Sequence, residues 1–242
     1  MNKKVYFALA ALVLVALACG INNVPTPTPQ SPVLINPQPT TGGSIAQPTI
    51  GGNTTGLQVL FQDDFSNVNS GWDRINGAHG LTDYANGGYR INVTSPMYSY
   101  LANPYQSFQN DVRIEVDASK VGGPNDNAFG VICRYQDLDN FYFFYISSDG
   151  YVGIGINNSG TKTIISSSDG NLAGDSNINQ GAATNHIRAD CIGSDLTLYV
   201  NGSQSTSATD STFTRGDVGL VARTFSVAGT DILFQNFFVY KP

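Results

Sequence analysis

Charge is scarce in this chain, and glutamate is nearly missing. Asp, Glu, Lys and Arg make up 12% of 242 residues, about half the usual share. Glu115 is the single glutamate. Paired glutamates, the usual equipment of a retaining glycosidase, are therefore excluded. The only histidines, His79 and His186, are far apart, and no His/Cys pair has a zinc spacing. There is no G-x-S-x-G elbow and no Gly-rich loop leading into a helix. A hydrolase nucleophile of that type and a phosphate cradle are thus absent. Long helical periodicity is lacking as well. Between Lys4 and Asp63 there is no charge at all, and from Asp63 onward 18 acidic residues face 10 basic ones. A field of that sign repels phosphate backbones, which excludes nucleic acid as a partner.

What is abundant points to strands. The chain has 26 Gly, 12 Tyr and 13 Phe, a mixture suited to turns and pleated surfaces. Residues 1–18 read as an export signal. "MNKK" is a basic start, and residues 5–18 form an apolar run too short for an ordinary membrane span. Ala16-Leu17-Ala18 fits a signal-peptidase site. Cys19 follows at once, and "ALAC" resembles the lipobox of bacterial lipoproteins, with Ala16 where Leu is usual. The other cysteines, Cys133 and Cys191, lie in strand-like runs and point inward, as a disulfide or as two buried thiols. Cys19 is then left over, and acylation accounts for it. The expectation is a lipid-anchored, extracytoplasmic protein touching the bilayer only through Cys19; simple secretion is the alternative.

Residues 19–56 are rich in Pro, Thr and Gly, carry seven of the eleven prolines and have no charge. Such a segment cannot bury a core and reads as an extended tether. Residues 57–242 read as one all-β domain. Short alternating runs recur between Gly, Asn, Asp and Ser clusters, from "LQVLFQDDF" through "DVRIEVDA" and "NFYFFYISS" to "DILFQNFFVY". Asp149-Gly150 and Asn201-Gly202 mark hairpin turns. Eleven or twelve strands are predicted, arranged as a two-sheet sandwich.

Several stretches carry a family resemblance: "FQDDFSN…SGW", "NAFGVICRYQDLDNFYFFYISSDGYVGI", "LTLYVNGSQ", "GDVGLVA" and "ILFQNFFVY". Together they resemble laminin G-like and laminarinase-like domains of the concanavalin A-like lectin/glucanase superfamily, as carried on bacterial surface lipoproteins. The resemblance implies a two-sheet antiparallel jelly-roll sandwich whose concave face often binds glycans. Laminarinase-like members carry E-x-D-x-x-E on one strand. Glu115 and Asp117 match its first two positions, and Lys120 stands where the second Glu belongs. A non-catalytic glycan-binding or adhesive module is therefore expected. A divergent carbohydrate-active hydrolase, of glycosidase or 3-keto-glycoside type, and a structural surface domain are the alternatives.

The expected ligand face starts from Arg113, Glu115 and Asp117, which alternate with apolar Val112, Ile114 and Val116. Arg134 and Arg188 are expected nearby on the same sheet face. In "NFYFFY", Phe141, Phe143 and Tyr145 share one face while Tyr142, Phe144 and Ile146 share the other. Only one set fits a single core layer; the other lines a groove, with Tyr142 as the candidate sugar contact, or is covered by loops. Trp72 either stacks on a ligand or plugs the sandwich end. No organic cofactor is expected. A structural calcium through Asp64 and Asp231 is possible if the chain ends meet, the alternative being plain turn and edge residues.

Overall fold

Strict alternation of apolar and polar residues demands a surface buried on one side, and the chain provides two such surfaces. In the computed structural model, residues 56–242 are described, and every regular element among them is a strand. The expectations for the signal peptide, Cys19 and the tether lie outside the described residues. In chain order the strands are β1 (Gln58–Asp63), β2 (Ile75–Gly77), β3 (Gly80–Ala85), β4 (Gly88–Val93), β5 (Ser99–Ala102), β6 (Ser107–Phe108), β7 (Val112–Gly122), β8 (Asn127–Asp137) and β9 (Asn140–Ile146). They continue with β10 (Tyr151–Asn158), β11 (Thr161–Ile164), β12 (Ala173–Gly174), β13 (Asn185–Ile192), β14 (Asp195–Val200), β15 (Ser203–Thr209), β16 (Gly216–Thr224) and β17 (Thr230–Lys241).

All pairings are antiparallel and form two sheets. The first runs β15-β14-β13-β7-β17-β4-β3-β2; the second runs β11-β10-β9-β8-β16-β5. Strand β17 bulges between Gln235 and Phe238; its first half pairs with β4 and its second half with β1. Strands β12 and β6 pair at the margins of the second sheet, with β10 and β16. This is the expected two-sheet sandwich with more strands than predicted. The additions are mostly short, and β15 is built of Ser, Thr, Gln and Ala, so no apolar alternation announces them. The turn into β4 is Asn86-Gly87, both left-handed, and Gly88 already belongs to the strand.

The core lies between the sheets. From the first sheet come Val112, Ile114 and Val116 of β7, Ile187 and Ala189 of β13, and Phe234 and Val239 of β17. From the second come Val131, Tyr142, Phe144, Ile146 and Leu220. Cys133 on β8 and Cys191 on β13 form a disulfide that joins one sheet to the other, with Cα atoms 7.0 Å apart.

Trp72 plugs the sandwich end. It is buried against Phe65, Tyr89 and Phe237, with ring centroids 5.0–5.3 Å away. Its indole N–H donates to Asp63 Oδ2 at 2.9 Å. Replacing Trp72 by Ala is expected to cost about 3–5 kcal/mol, because the cavity cannot collapse between three rings. Chemical denaturation measures it. A loss below about 1 kcal/mol would mean that the end of the sandwich closes without the plug.

Candidate functional site

The sequence-predicted ligand residues fall into two separate places. Arg113, Glu115 and Asp117 occupy the outer face of β7, and Asp190, Arg188 and His186 of β13 stand directly opposite them. Opposite charges meet on each rung. Asp190 accepts from Arg113 Nε at 2.9 Å and from Arg188 Nε at 3.0 Å. Arg188 also lies 4.0 Å from the centre of the Tyr199 ring. His186 Nδ1 donates to Asp117 Oδ1 at 2.8 Å, and its Nε2 lies 3.5 Å from Glu115 Oε2. Asn236, aimed by the β17 bulge in a left-handed conformation, donates to the other Asp117 oxygen at 2.8 Å. The Asp117 and Glu115 carboxylates hold the His186 imidazolium pKa at about 9 against the opposing effect of burial. Asp117 is held below its usual range: burial is the largest single influence and raises it, but the bonds from His186 and Asn236 outweigh that.

The result is a self-neutralising ladder. Each carboxylate already faces a cation, so E-x-D here is a balanced strand face. Lys120 extends from the far end of β7 to the Gly123 carbonyl and Asn125.

Arg134 and Tyr142 are not on this face, nor on this sheet, contrary to the expectation for Arg134. Both belong to the second sheet and are buried. A register shift in β8 beyond Cys133, with Arg134 in a left-handed conformation, accompanies its inward turn. Arg134 Nη1 donates to the Phe213 carbonyl at 2.9 Å. Tyr142 donates to Asp210 and accepts from the Phe213 amide. The two clasp the β15–β16 connection. The face of β9 turned outward is Phe141, Phe143 and Tyr145, a satellite cluster covered by Leu101, Tyr135, Ile164, Leu172 and Phe225. Glycine in β10 makes room for it, since a Cβ at Gly155 would lie 2.1 Å from Phe143 Cζ.

Asp64 and Asp231 are not brought together. The chain ends do meet, as β1 pairs with the second half of β17, but Asp231 sits at the other end of β17, opposite Asn92 and Gly122. Asp231 is engaged by both Nε and Nη2 of Arg90, and Asp64 accepts the Ser66 amide at 2.9 Å in a turn. Among the described residues no group of three or more His, Cys, Asp or Glu could hold a metal.

Unspent hydrogen-bonding capacity lies in a cavity of about 650 Å³ at one end of the second sheet. It is lined by Asn103, Tyr105, Tyr135, Gln136, Arg215 and Asp217, among others. Asp217 is 8% exposed; its Oδ1 accepts the amides of Val218 at 2.7 Å and Gln106 at 3.1 Å, leaving Oδ2 without a partner. Burial, with the nearby Asp73 charge adding to it, pushes its pKa up to about 6 despite those two bonds. Asn103 is 5% exposed, and its Oδ1 is buried with no partner. Tyr105 stands at the rim, 69% exposed and left-handed in backbone, its hydroxyl donated to Asp73. That bond is the main reason its pKa rises to about 12. Asp73 also accepts the Asn103 amide at 3.0 Å, so one carboxylate braces two residues of the wall. Sequence reasoning missed this site. It gathers residues from β6, β8, β16 and the loops around them, and none carries a motif.

No protein-family model matches the chain, and no curated protein matches it. Solved structures do. The CBM66 carbohydrate-binding module from Bacillus subtilis superposes with a TM-score of 0.57 at 19% identity, covering 71% of this chain and 96% of that one. Bacillus licheniformis β-glucanase gives 0.55 at 13% identity, covering 78% and 99%. The fold is concanavalin A-like. A Clostridium perfringens endo-β-galactosidase that releases GlcNAcα1-4Gal shares it, with a TM-score of 0.53 at 11% identity, covering 78% of this chain and 64% of the other. At these identities the likeness of the concanavalin A-like sandwich extends to architecture and not to site residues.

Proposed function

We propose that this protein is an extracytoplasmic glycan-binding module and that the cavity around Asp217 is its binding site. The observation that carries this reading is the unspent acceptor Asp217 Oδ2 beside an exposed tyrosine, with the unpartnered Asn103 Oδ1 buried behind the wall. Sugars present hydroxyl donors around a ring whose C–H face packs on aromatics, so they suit both the acceptor and the tyrosine. The volume falls within the roughly 300–1,000 Å³ range of small-ligand sites. A carbohydrate-binding module and glycosidases on the same fold support the class of ligand. The Cys133–Cys191 disulfide supports an oxidising compartment. The apolar run at residues 5–18 followed by Cys19 supports a lipid anchor. Mass spectrometry of the mature N-terminus tests that anchor, and an unmodified Cys19 there rejects it.

A glycan array followed by calorimetry tests the site. Tyr105→Ala and Asp217→Asn are each expected to weaken binding at least tenfold, the worth of one charge-assisted hydrogen bond or stacked ring of about 1.5–3 kcal/mol. Glu115→Gln is expected to leave binding unchanged, because the ladder lies on the other sheet. Affinity is expected to fall as pH drops through about 6, where Asp217 takes up a proton and loses its charge; Asp217→Asn flattens that profile. Full binding by both cavity variants, or loss through Glu115→Gln, would move the site elsewhere.

A further inference from the structure

A second recess lies on the same sheet, toward the other ends of β9 and β16. It encloses about 340 Å³ and is walled by Phe143, Tyr145, Ile164, Leu172 and Phe225, with Lys162 and Arg223 also lining it. No Asp or Glu lines it. Of the seven arginines among the described residues, only Arg215 and Arg223 hold no carboxylate. Arg74, Arg90, Arg113, Arg134 and Arg188 each hold a carboxylate within 3.4 Å. Arg223 holds none: its guanidinium reaches Ser99 Oγ at 3.4 Å and lies 5.6 Å from the Phe225 ring centre. Lys162 makes no ion pair or side-chain hydrogen bond among the described residues.

The two cations also repel each other. Desolvation first and the charge of Arg223 next lower the Lys162 pKa, with Asp139 opposing, although the side chain is exposed at the rim. In a domain with 18 acidic residues against 10 basic ones, two adjacent cations beside an apolar wall leave one requirement open. An anionic group between them would relieve the repulsion and form charge-assisted bonds, while the rest of the ligand covers aromatic surface.

We propose that this recess binds a small amphiphilic carboxylate, its acid group held between Lys162 and Arg223 and its apolar body against Ile164, Leu172 and Phe225. Thr163 and Asn171 also line the recess, but Ile164, Leu172 and Phe225 give it a continuous apolar side, which suits a hydrophobic body better than a polyhydroxylated one. This site is independent of the glycan cavity.

The test titrates the full-length chain with 3-phenylpropionate, 3-phenylpropanamide and D-glucuronate, following amide shifts by NMR. Phenylpropionate is expected to bind at least tenfold more tightly than its amide, with shifts centred on Thr163, Asn171 and Phe225. Added salt weakens it. Lys162→Gln and Arg223→Gln each weaken it at least tenfold, and Arg223→Lys restores most of the loss. Tyr105→Ala leaves it unchanged, which separates this site from the glycan cavity. Equal affinity for acid and amide, tighter binding of glucuronate, shifts located elsewhere, or no shift overturns the proposal.

Discussion

Replacing both Cys133 and Cys191 by alanine is expected to lower the unfolding free energy by about 4 kcal/mol. The bond closes a loop of 58 residues. In the chain-entropy model, releasing a loop of that length frees about 4 kcal/mol of unfolded-state entropy. The location adds to the effect. β8 belongs to one sheet and β13 to the other, so the bond ties together the two layers whose contact is the core. Urea denaturation of the wild type, the double alanine variant and the reduced protein measures it. Reduced wild type and variant are expected to agree within about 1–2 kcal/mol: both cysteines are buried, but each substitution removes only one sulfur atom. A difference between oxidised protein and variant below about 1 kcal/mol would show that the unfolded chain gains no freedom from the cut.

The second large effect lies in the charged ladder. Asp190→Ala strands Arg113 and Arg188 together, and both guanidiniums are largely buried. The expected cost is about 3 kcal/mol, the low end for breaking a buried pair, because Tyr199 still shelters Arg188. Asp190→Asn, which keeps the shape, is expected to cost less.

The same ladder sets a pH window. The folded His186 pKa of about 9 lies above its ordinary value of 6.5. Its contribution is therefore complete below about pH 6.5 and lost as pH rises through 9, up to about 3 kcal/mol in all. Asp117 works in the opposite sense: its folded pKa is depressed, so its contribution holds above the ordinary carboxylate range and disappears on acidification. Stability measured from pH 4 to 10 is expected to fall along the alkaline limb, and His186→Gln is expected to remove that limb. An unchanged alkaline limb in the variant would mean that His186 is neutral in the folded protein.

Much of this molecule was legible in the sequence. The alternation in "DVRIEVDA" assigns Ile114 and Val116 to the core and Glu115 and Asp117 to the opposite face, and so they lie, although neighbouring side chains bury Glu115 there. Cys133 and Cys191 read as inward, and they pair. The turns at Gly150 and at Asn201-Gly202 adopt the left-handed backbone that their residues permit. These are local facts, set by the period of a pleated strand and by the few residues that tolerate positive φ.

Tertiary structure decided everything that depends on a partner. A period of two splits "NFYFFY" into two faces but cannot say which one meets the other sheet; Tyr142 went in, and Phe143 went out. Nor does it give register. Only pairing places Asp190, Arg188 and His186 against Arg113, Glu115 and Asp117, which turns an apparent site into a closed ladder. Asp64 and Asp231 looked close because the chain ends meet, yet β17 is 12 residues long and holds Asp231 at its far end. The Asp217 cavity is assembled from segments more than 100 residues apart, so no window of sequence contains it. Alternation along one strand is written in that strand; the neighbour it receives is fixed by the burial of the whole sandwich.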